Sequence, residues 1–67
     1  MANVEIRVVG GDTYGVEGSV EEAERMLSDA ARSGQSRLAW FKELASGKLV
    51  GINPAHVISL RAGNGSG

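Results

Sequence analysis

The 67-residue sequence contains no cysteine and one histidine, His56. The fold therefore has no disulfides, and the thiolate and imidazole sets that usually hold zinc are missing. We expect neither a metal nor another cofactor. A domain of this length buries only about 60% of the surface that its unfolded chain exposes, so its core is thin. Because most small domains add a disulfide, a metal or a partner subunit, these absences favour self-association.

Long apolar runs and an excess of basic residues are also missing. No stretch approaches the ~18 apolar residues that a membrane span needs. The net charge is -1, whereas nucleic-acid-binding domains usually carry a clear basic excess. Residues Met1–Glu5 lack the basic start and apolar run of a signal peptide. We expect a cytoplasmic protein that does not bind membranes.

The first third of the chain reads as a β-hairpin. Val4, Ile6 and Val8 alternate with charged residues, which is the period of a strand with one buried face. Gly10–Asp12 predicts a reversal, because glycine accepts positive φ and aspartate favours turns. Thr13–Glu17 is the expected second strand.

A helix is predicted next. Ser19 and Glu22 have the spacing of a capping box, in which each side chain accepts a hydrogen bond from the other residue's main-chain amide. Arg32 suits the negative end of a helix dipole, and Gly34 is a favourable residue for ending the helix. Apolar side chains recur at helical spacing along one stripe, which consists of Val20, Ala23, Met26, Leu27, Ala30 and Ala31.

The remaining sequence predicts three strands, over Ser36–Leu44, Lys48–Ile52 and Val57–Ala62. Ser46–Lys48 is typical of a hairpin turn. Asn53-Pro54 ends the strand Lys48–Ile52, because proline cannot donate to a sheet ladder.

Together these elements predict a single α+β domain over residues 1–62, in the order ββαβββ. We expect an antiparallel sheet of four to five strands with one helix packed on a face. Residues 63–67 contain only glycine, asparagine and serine, so they are predicted to form a flexible tail.

The same order resembles a family of small uncharacterised actinobacterial α+β domains. In that family a capped helix is followed by a strand, a glycine-basic turn, a strand, a proline-alanine step and a final β-branched strand. The resemblance implies a fold but no activity. It is carried by Ser19-x-x-Glu22, Gly34, Gly47-Lys48, Pro54-Ala55 and Val57-Ile58-x-Leu60.

No set of residues predicts catalysis. Gly10–Gly15 lacks the complete spacing of a phosphate-binding loop and joins two predicted strands. His56 has no cysteine and no ordered serine and aspartate partners, so a surface or capping role is expected. Glu21 and Glu24 fall in the first helical turns, where a solvated acidic face is the usual arrangement. We expect a protein that is not an enzyme.

The segment Leu38–Phe41 is apolar on both of its strand faces, yet one helix covers only one face of a small sheet. We expect the helix to cover the face that holds Val4, Ile6, Val8, Leu38, Trp40, Val50, Ile52, Ile58 and Leu60. The opposite face is then the candidate interface, composed of Arg7, Val9, Arg37, Phe41, Leu49, Val57 and Arg61. A register slip of one residue would reverse the faces and turn Trp40 outward.

Two functions and one purely structural alternative compete for this face, and a third function does not depend on it. An exposed apolar surface with arginines favours a protein interface, either with another copy or with a partner protein. The alternative function is a nucleic-acid-binding regulator that stacks bases on Phe41 and neutralises phosphates with arginine, although Glu5 and Glu17 share the face. A minimal enzyme with its site between subunits comes third. In the structural alternative, the sheet curls and buries Phe41 and Leu49 within the monomer.

Overall fold

The computed structural model describes residues 2–33 and 37–63. In this part of the chain five strands and one α-helix follow one another in the predicted order ββαβββ, which confirms the α+β class. A single turn of 3-10 helix, Pro54–His56, precedes the last strand. The elements are β1 (Asn3–Val8), β2 (Thr13–Glu17), α1 (Val20–Ser33), β3 (Ala39–Lys42), β4 (Leu49–Ile52) and β5 (Val57–Ala62).

Strand β1 is the centre of a three-stranded antiparallel sheet, with β2 on one side and β5 on the other. The predicted β1–β2 hairpin is confirmed, and its register places Ile6 opposite Tyr14. Gly10 and Gly11 have φ values of 101° and 95°, a region that residues with a side chain rarely adopt. The Val8 amide donates to the Asp12 carbonyl across this turn, at 3.0 Å.

Strands β3 and β4 form a separate two-stranded antiparallel sheet. The prediction of one sheet of four to five strands is therefore wrong. The two sheets touch at a single β-bridge between Val16 and Glu43, where the Leu44 amide also donates to the Gly15 carbonyl at 2.9 Å. A helix separates β2 from β3 along the chain, and residues 44–46 turn away directly after the bridge. The described residues form no further ladder between the two sheets.

The capping box at the start of α1 is confirmed. The Glu22 amide donates to Ser19 Oγ at 3.1 Å, and the Ser19 amide donates to Glu22 Oε1 at 3.0 Å. Ala23, Leu27 and Ala30 are buried against the sheets, whereas Met26 is exposed. The predicted stop at Gly34 lies outside the described residues. The helix of 14 residues is too short to span a membrane, and no other helix of the described chain could do so.

The proline step between β4 and β5 is a compact turn. Asn53 Oδ1 accepts from the Ala55 amide at 2.9 Å, and the Val9 amide donates to the His56 carbonyl at 2.8 Å. These bonds hold the start of β5 beside the end of β1. The β1–β5 register then shifts at Val8, so Ile58 forms a bulge and its side chain is exposed.

The core lies between α1 and the inner faces of both sheets. Its buried residues are Val4, Ile6, Val16, Ala23, Leu27, Ala30, Ala39, Phe41 and Ile52. Residues 64–67 of the predicted tail lie outside the described residues, and the Gly63 amide donates to the Asn3 carbonyl at 2.9 Å.

The faces of β3 are reversed from the first expectation. Phe41 is only 4% exposed and belongs to the core, whereas Trp40 is 55% exposed. Strand β3 begins at Ala39 and pairs with β4 so that Phe41 lies opposite Val50 and Ala39 opposite Ile52. Val50 is half-buried and Ile52 is buried on the same side. Helix α1 therefore covers the side that bears Phe41, and the prediction that Phe41 is exposed is wrong.

Candidate interaction surface

The outward side of the β3–β4 hairpin is apolar and uncovered in the described chain. Trp40 and Gly51 form a cross-strand pair, and Lys42 lies opposite Leu49. Leu49 is 70% exposed and Leu38 is 39% exposed. We refer to the outward surface of Leu38, Trp40, Leu49 and Gly51 as the hairpin face. It places three large apolar side chains in water on one side of two short strands.

Gly51 determines where the indole ring lies. A Cβ atom built on Gly51 would be 2.9 Å from Leu38 Cδ1 and 3.0 Å from Trp40 Cη2. Real Cβ atoms do not approach carbon atoms so closely, so Trp40 and Leu38 occupy the space that a side chain at residue 51 would need. The hairpin face is therefore flat over Gly51, with the ring lying across the β4 main chain.

An open groove of about 360 Å³ continues from this face towards α1. Met26 and Ala30 line it from the helix, and Trp40 lines it from the strand. Asp29 and Arg37 also line it, as charged residues. Charged side chains thus lie next to the apolar surface, as is common at protein interfaces.

Strand β4 has a free edge along this face. The Glu43 amide donates to the Lys48 carbonyl at 2.8 Å, and antiparallel ladders alternate between bonded and non-bonded residue pairs. The main-chain groups of Val50 and Ile52 therefore face β3, whereas those of Leu49 and Gly51 face away. In the described chain β4 pairs with no strand other than β3.

A second surface lies on the outer side of the three-stranded sheet and is charged. Glu5 pairs across the strands with Arg61, and Arg7 lies between Thr13 and Ser59. All five side chains line a small depression of about 70 Å³. Positive and negative groups alternate there, so the depression offers two guanidinium groups but no uniform positive field.

The residues predicted as one interface are distributed over several surfaces. Arg7 and Arg61 lie together in the charged depression. Leu49 belongs to the hairpin face, and Arg37 lines the groove beside α1. Val9 is exposed at the end of β1, Val57 is half-buried against the core, and Phe41 is buried.

Sequence reasoning placed Trp40 and Leu38 in the core and gave Gly51 no role. The signal that could have located them is the sequence of β4, Leu-Val-Gly-Ile, where a glycine interrupts an apolar strand. Glycine in a strand often marks a close approach by another group. Here the approaching group is the indole of the cross-strand neighbour.

Other polar residues considered in the sequence do not form a reactive site. Glu21 and Glu24 are exposed on α1, and Glu22 is engaged in the cap. His56 shares a small depression with Tyr14 and Asn53, but the Asn53 amide oxygen already accepts from Ala55. Within residues 2–33 and 37–63, no three histidine or carboxylate side chains are grouped so that they could hold a metal ion.

No known protein family matches the sequence, and no curated protein or solved structure is found to be similar to the chain. The resemblance to small actinobacterial domains stays a prediction.

Proposed function

We propose that this chain is a small cytoplasmic assembly module that associates with further copies of itself through the hairpin face. The observation that carries the proposal is the exposure of Trp40, which is 55% accessible although it is the only tryptophan of the chain. Tryptophan is among the residues most often found at the centre of protein interfaces.

The energetics of a small domain support this assignment. Leu38 and Leu49 lie beside Trp40, so their removal from water would add favourable burial to a thin core. Contiguous exposed apolar surfaces with polar rims usually mark interaction sites. Lys42, Asp29 and Arg37 are the charged residues next to the apolar surface here.

The described residues favour a binding role over an enzymatic one. An active site needs a concave pocket in which at least two polar groups with complementary roles converge. The groove beside α1 is open and mainly apolar, and the depression at Arg7 is small, at about 70 Å³.

The test uses the single tryptophan as both probe and target. Sedimentation equilibrium over a wide concentration range gives the mass, and Trp40 emission gives the exposure of the ring at each concentration. We expect association that is accompanied by a blue shift of the emission. Trp40→Ser should reduce association at least tenfold, because it removes the largest apolar side chain of the face.

Val9→Ser is the matched control. Val9 is an exposed apolar residue at the end of β1, outside the hairpin face, so its replacement should leave the mass distribution unchanged. Equal association of wild type and Trp40→Ser would show that the hairpin face is not the contact surface.

The charged depression supports a second candidate function, the binding of single-stranded nucleic acid. The supporting observation is that Arg7 and Arg61 lie together with the hydroxyl residues Thr13 and Ser59 on one open sheet face. Glu5 on the same face weakens the attraction for phosphates, so this candidate ranks below self-association.

A fluorescent oligonucleotide titrated at several salt concentrations would test this second function. Binding through these arginines should weaken steeply with salt and be lost in the Arg7→Gln/Arg61→Gln double variant. Arg32→Gln, an exposed arginine at the end of α1, is the control. Binding that the double variant retains would exclude the charged depression.

A further inference from the structure

The two outer edges of the sheets, β5 and β4, lie away from the bridge between β2 and β3 and differ in how they are protected. Exposed sheet edges are usually blocked by charges, proline or bulges, because free main-chain groups recruit other strands. Strand β5 carries the bulge at Ile58. Strand β4, Leu-Val-Gly-Ile, has no charge and no proline, and its pairing with β3 is regular. Of these two outer edges of the described chain, β4 is therefore the unprotected one.

We propose that two copies pair their β4 strands antiparallel about a two-fold axis at Val50. The two hairpins then form one continuous sheet in the order β3-β4-β4-β3. This inference rests on the proposed self-association and adds the partner strand, the register and the symmetry.

The register follows from the free main-chain groups. With the axis at Val50, Leu49 lies opposite the partner's Gly51, and the N–H and C=O groups of both residues point at each other. Each residue then donates one hydrogen bond and accepts one. An axis at Gly51 would instead oppose Leu49 to the partner's Asn53, whose carbonyl already accepts from the His56 amide at 2.9 Å.

The side chains fit the same register. On the outer side, Leu49 enters the position beside the partner's Gly51, where no side chain projects and the partner's Trp40 forms the neighbouring wall. On the inner side, Val50 contacts the partner's Val50. Each of these side chains packs against the core of its own copy, so the inner surface of the joined sheet is apolar across the two-fold axis. No residue of β4 is charged, so the two-fold axis brings no like charges face to face.

Strand pairing also removes the edge of the hairpin face from water. Leu49 is 70% exposed in the single chain, and in this register it packs beside the partner's Trp40 ring, which lies over Gly51. The contact occurs twice about the two-fold axis, so burial of two leucine side chains adds to the main-chain hydrogen bonds.

Leu49→Pro tests the strand pairing. The Leu49 amide faces away from β3, so proline removes a donor that no intrachain bond uses, and the hairpin should still fold. Leu49→Ala is the matched control, because it shortens the side chain but keeps the N–H. We expect Leu49→Pro to weaken association by roughly tenfold or more relative to Leu49→Ala, since each dimer loses two hydrogen bonds. Circular dichroism checks that both variants are folded.

Val50→Cys tests the register. The wild type contains no cysteine, so the new thiol has only its counterpart in a second copy to react with. Opposed residues of a non-bonded antiparallel pair have Cα atoms about 4.5 Å apart, within the range that a disulfide spans. Mild oxidation should give a covalent dimer, whereas Ala31→Cys on the exposed side of α1 should cross-link far more slowly.

The outcomes separate the two proposals. If Trp40→Ser dissociates the protein while Leu49→Pro behaves like Leu49→Ala and Val50→Cys stays monomeric on oxidation, the strand pairing is wrong and the hairpin face remains. If Leu49→Pro dissociates it and Trp40→Ser has no effect, the pairing stands and the hairpin face is wrong. Two further results would overturn the pairing. One is a closed oligomer larger than a dimer in which Val50→Cys forms no disulfide, and the other is a wild type that stays strictly monomeric.

Discussion

Two adjacent aromatic residues of β3 have opposite environments, and their partners on β4 explain the difference. Phe41 lies opposite Val50 on the core side, whereas Trp40 lies opposite Gly51 on the outer side. Successive residues of a strand point to opposite faces. Once Phe41 is paired with Val50 on the core side, Trp40 must therefore point outward. The bulky β-branched partner continues the core, and the glycine leaves space for the larger ring outside.

This assignment predicts that Phe41 is a stability residue. Phe41→Ala should lower the free energy of unfolding by about 3–5 kcal/mol, as much as a core of this size usually provides. The variant should therefore be largely unfolded, as measured by circular dichroism and urea titration at low protein concentration. Trp40→Ala under the same conditions should cost much less. A folded Phe41→Ala variant would contradict the burial of this ring.

Gly51 gives a second prediction at the same scale. Gly51→Ala introduces a methyl group into the space held by Trp40 and Leu38, which should displace the indole and cost about 1–3 kcal/mol. The displacement should appear as a changed Trp40 emission spectrum of the monomer. Gly15→Ala is the control, because its added Cβ would meet only Leu44 Cδ1, at 3.9 Å. Equal effects at both glycines would argue against the packing of Trp40 on Gly51.

The sequence could predict residue positions where one side of a strand is polar. In β1, Glu5 and Arg7 alternate with the buried Val4 and Ile6, and only one orientation is possible. In β3 both sides are apolar, so burial alone does not decide between the two orientations. The decision comes from pairing with β4 and from the cover that α1 provides, which are tertiary features.

At the scale of elements, residues that end or begin helices and strands made most element boundaries predictable. The two glycines after β1, the capping box before α1 and the proline before β5 act through local backbone geometry and local hydrogen bonds. Strand β5 accordingly has the predicted bounds, Val57–Ala62. Strand β3, Ala39–Lys42, is shorter than the predicted Ser36–Leu44. Apolar residues such as Leu38 and Leu44 lie beyond the four residues that pair with β4, so composition alone made the predicted strand too long.

The capping box provides a quantitative test at this scale. Ser19→Ala removes the acceptor for the Glu22 amide and should lower the free energy of unfolding by about 1 kcal/mol. Ser28→Ala, on the exposed side of α1, is the control and should be neutral or slightly stabilising. The difference is measured by urea denaturation. A loss no larger at Ser19 than at Ser28 would contradict a stabilising role for the cap.

The division into two sheets was not predictable from the sequence. It depends on a single bridge between Val16 and Glu43, and no local motif encodes that contact. The exposed ion pair between Lys42 and Glu17, at 3.8 Å, crosses the same junction and contributes little in water.

At the scale of the whole molecule, stability and assembly are coupled. Within residues 2–33 and 37–63 the core contains nine buried residues, and three of them are alanines. Burial of the hairpin face in a dimer would add apolar contacts that the monomer lacks, and mass action then links stability to protein concentration.

We therefore expect the thermal midpoint of the wild type to rise with protein concentration, by several degrees over a hundredfold range. The expected midpoint of Leu49→Pro is lower and independent of concentration, because this variant should remain monomeric. Differential scanning calorimetry at matched concentrations makes the comparison. A wild-type midpoint that does not change with concentration would show that assembly adds nothing to folding.

The hydrogen bond from the Gly63 amide to the Asn3 carbonyl brings the two ends of the described domain together. We therefore expect that the connectivity of the elements can be changed while their packing is kept. A circular permutant that joins these ends through a short linker and opens between Gly10 and Gly11 would keep every core contact. The same adjacency would let the domain be inserted into a surface loop of a host protein, entering and leaving at nearly one point.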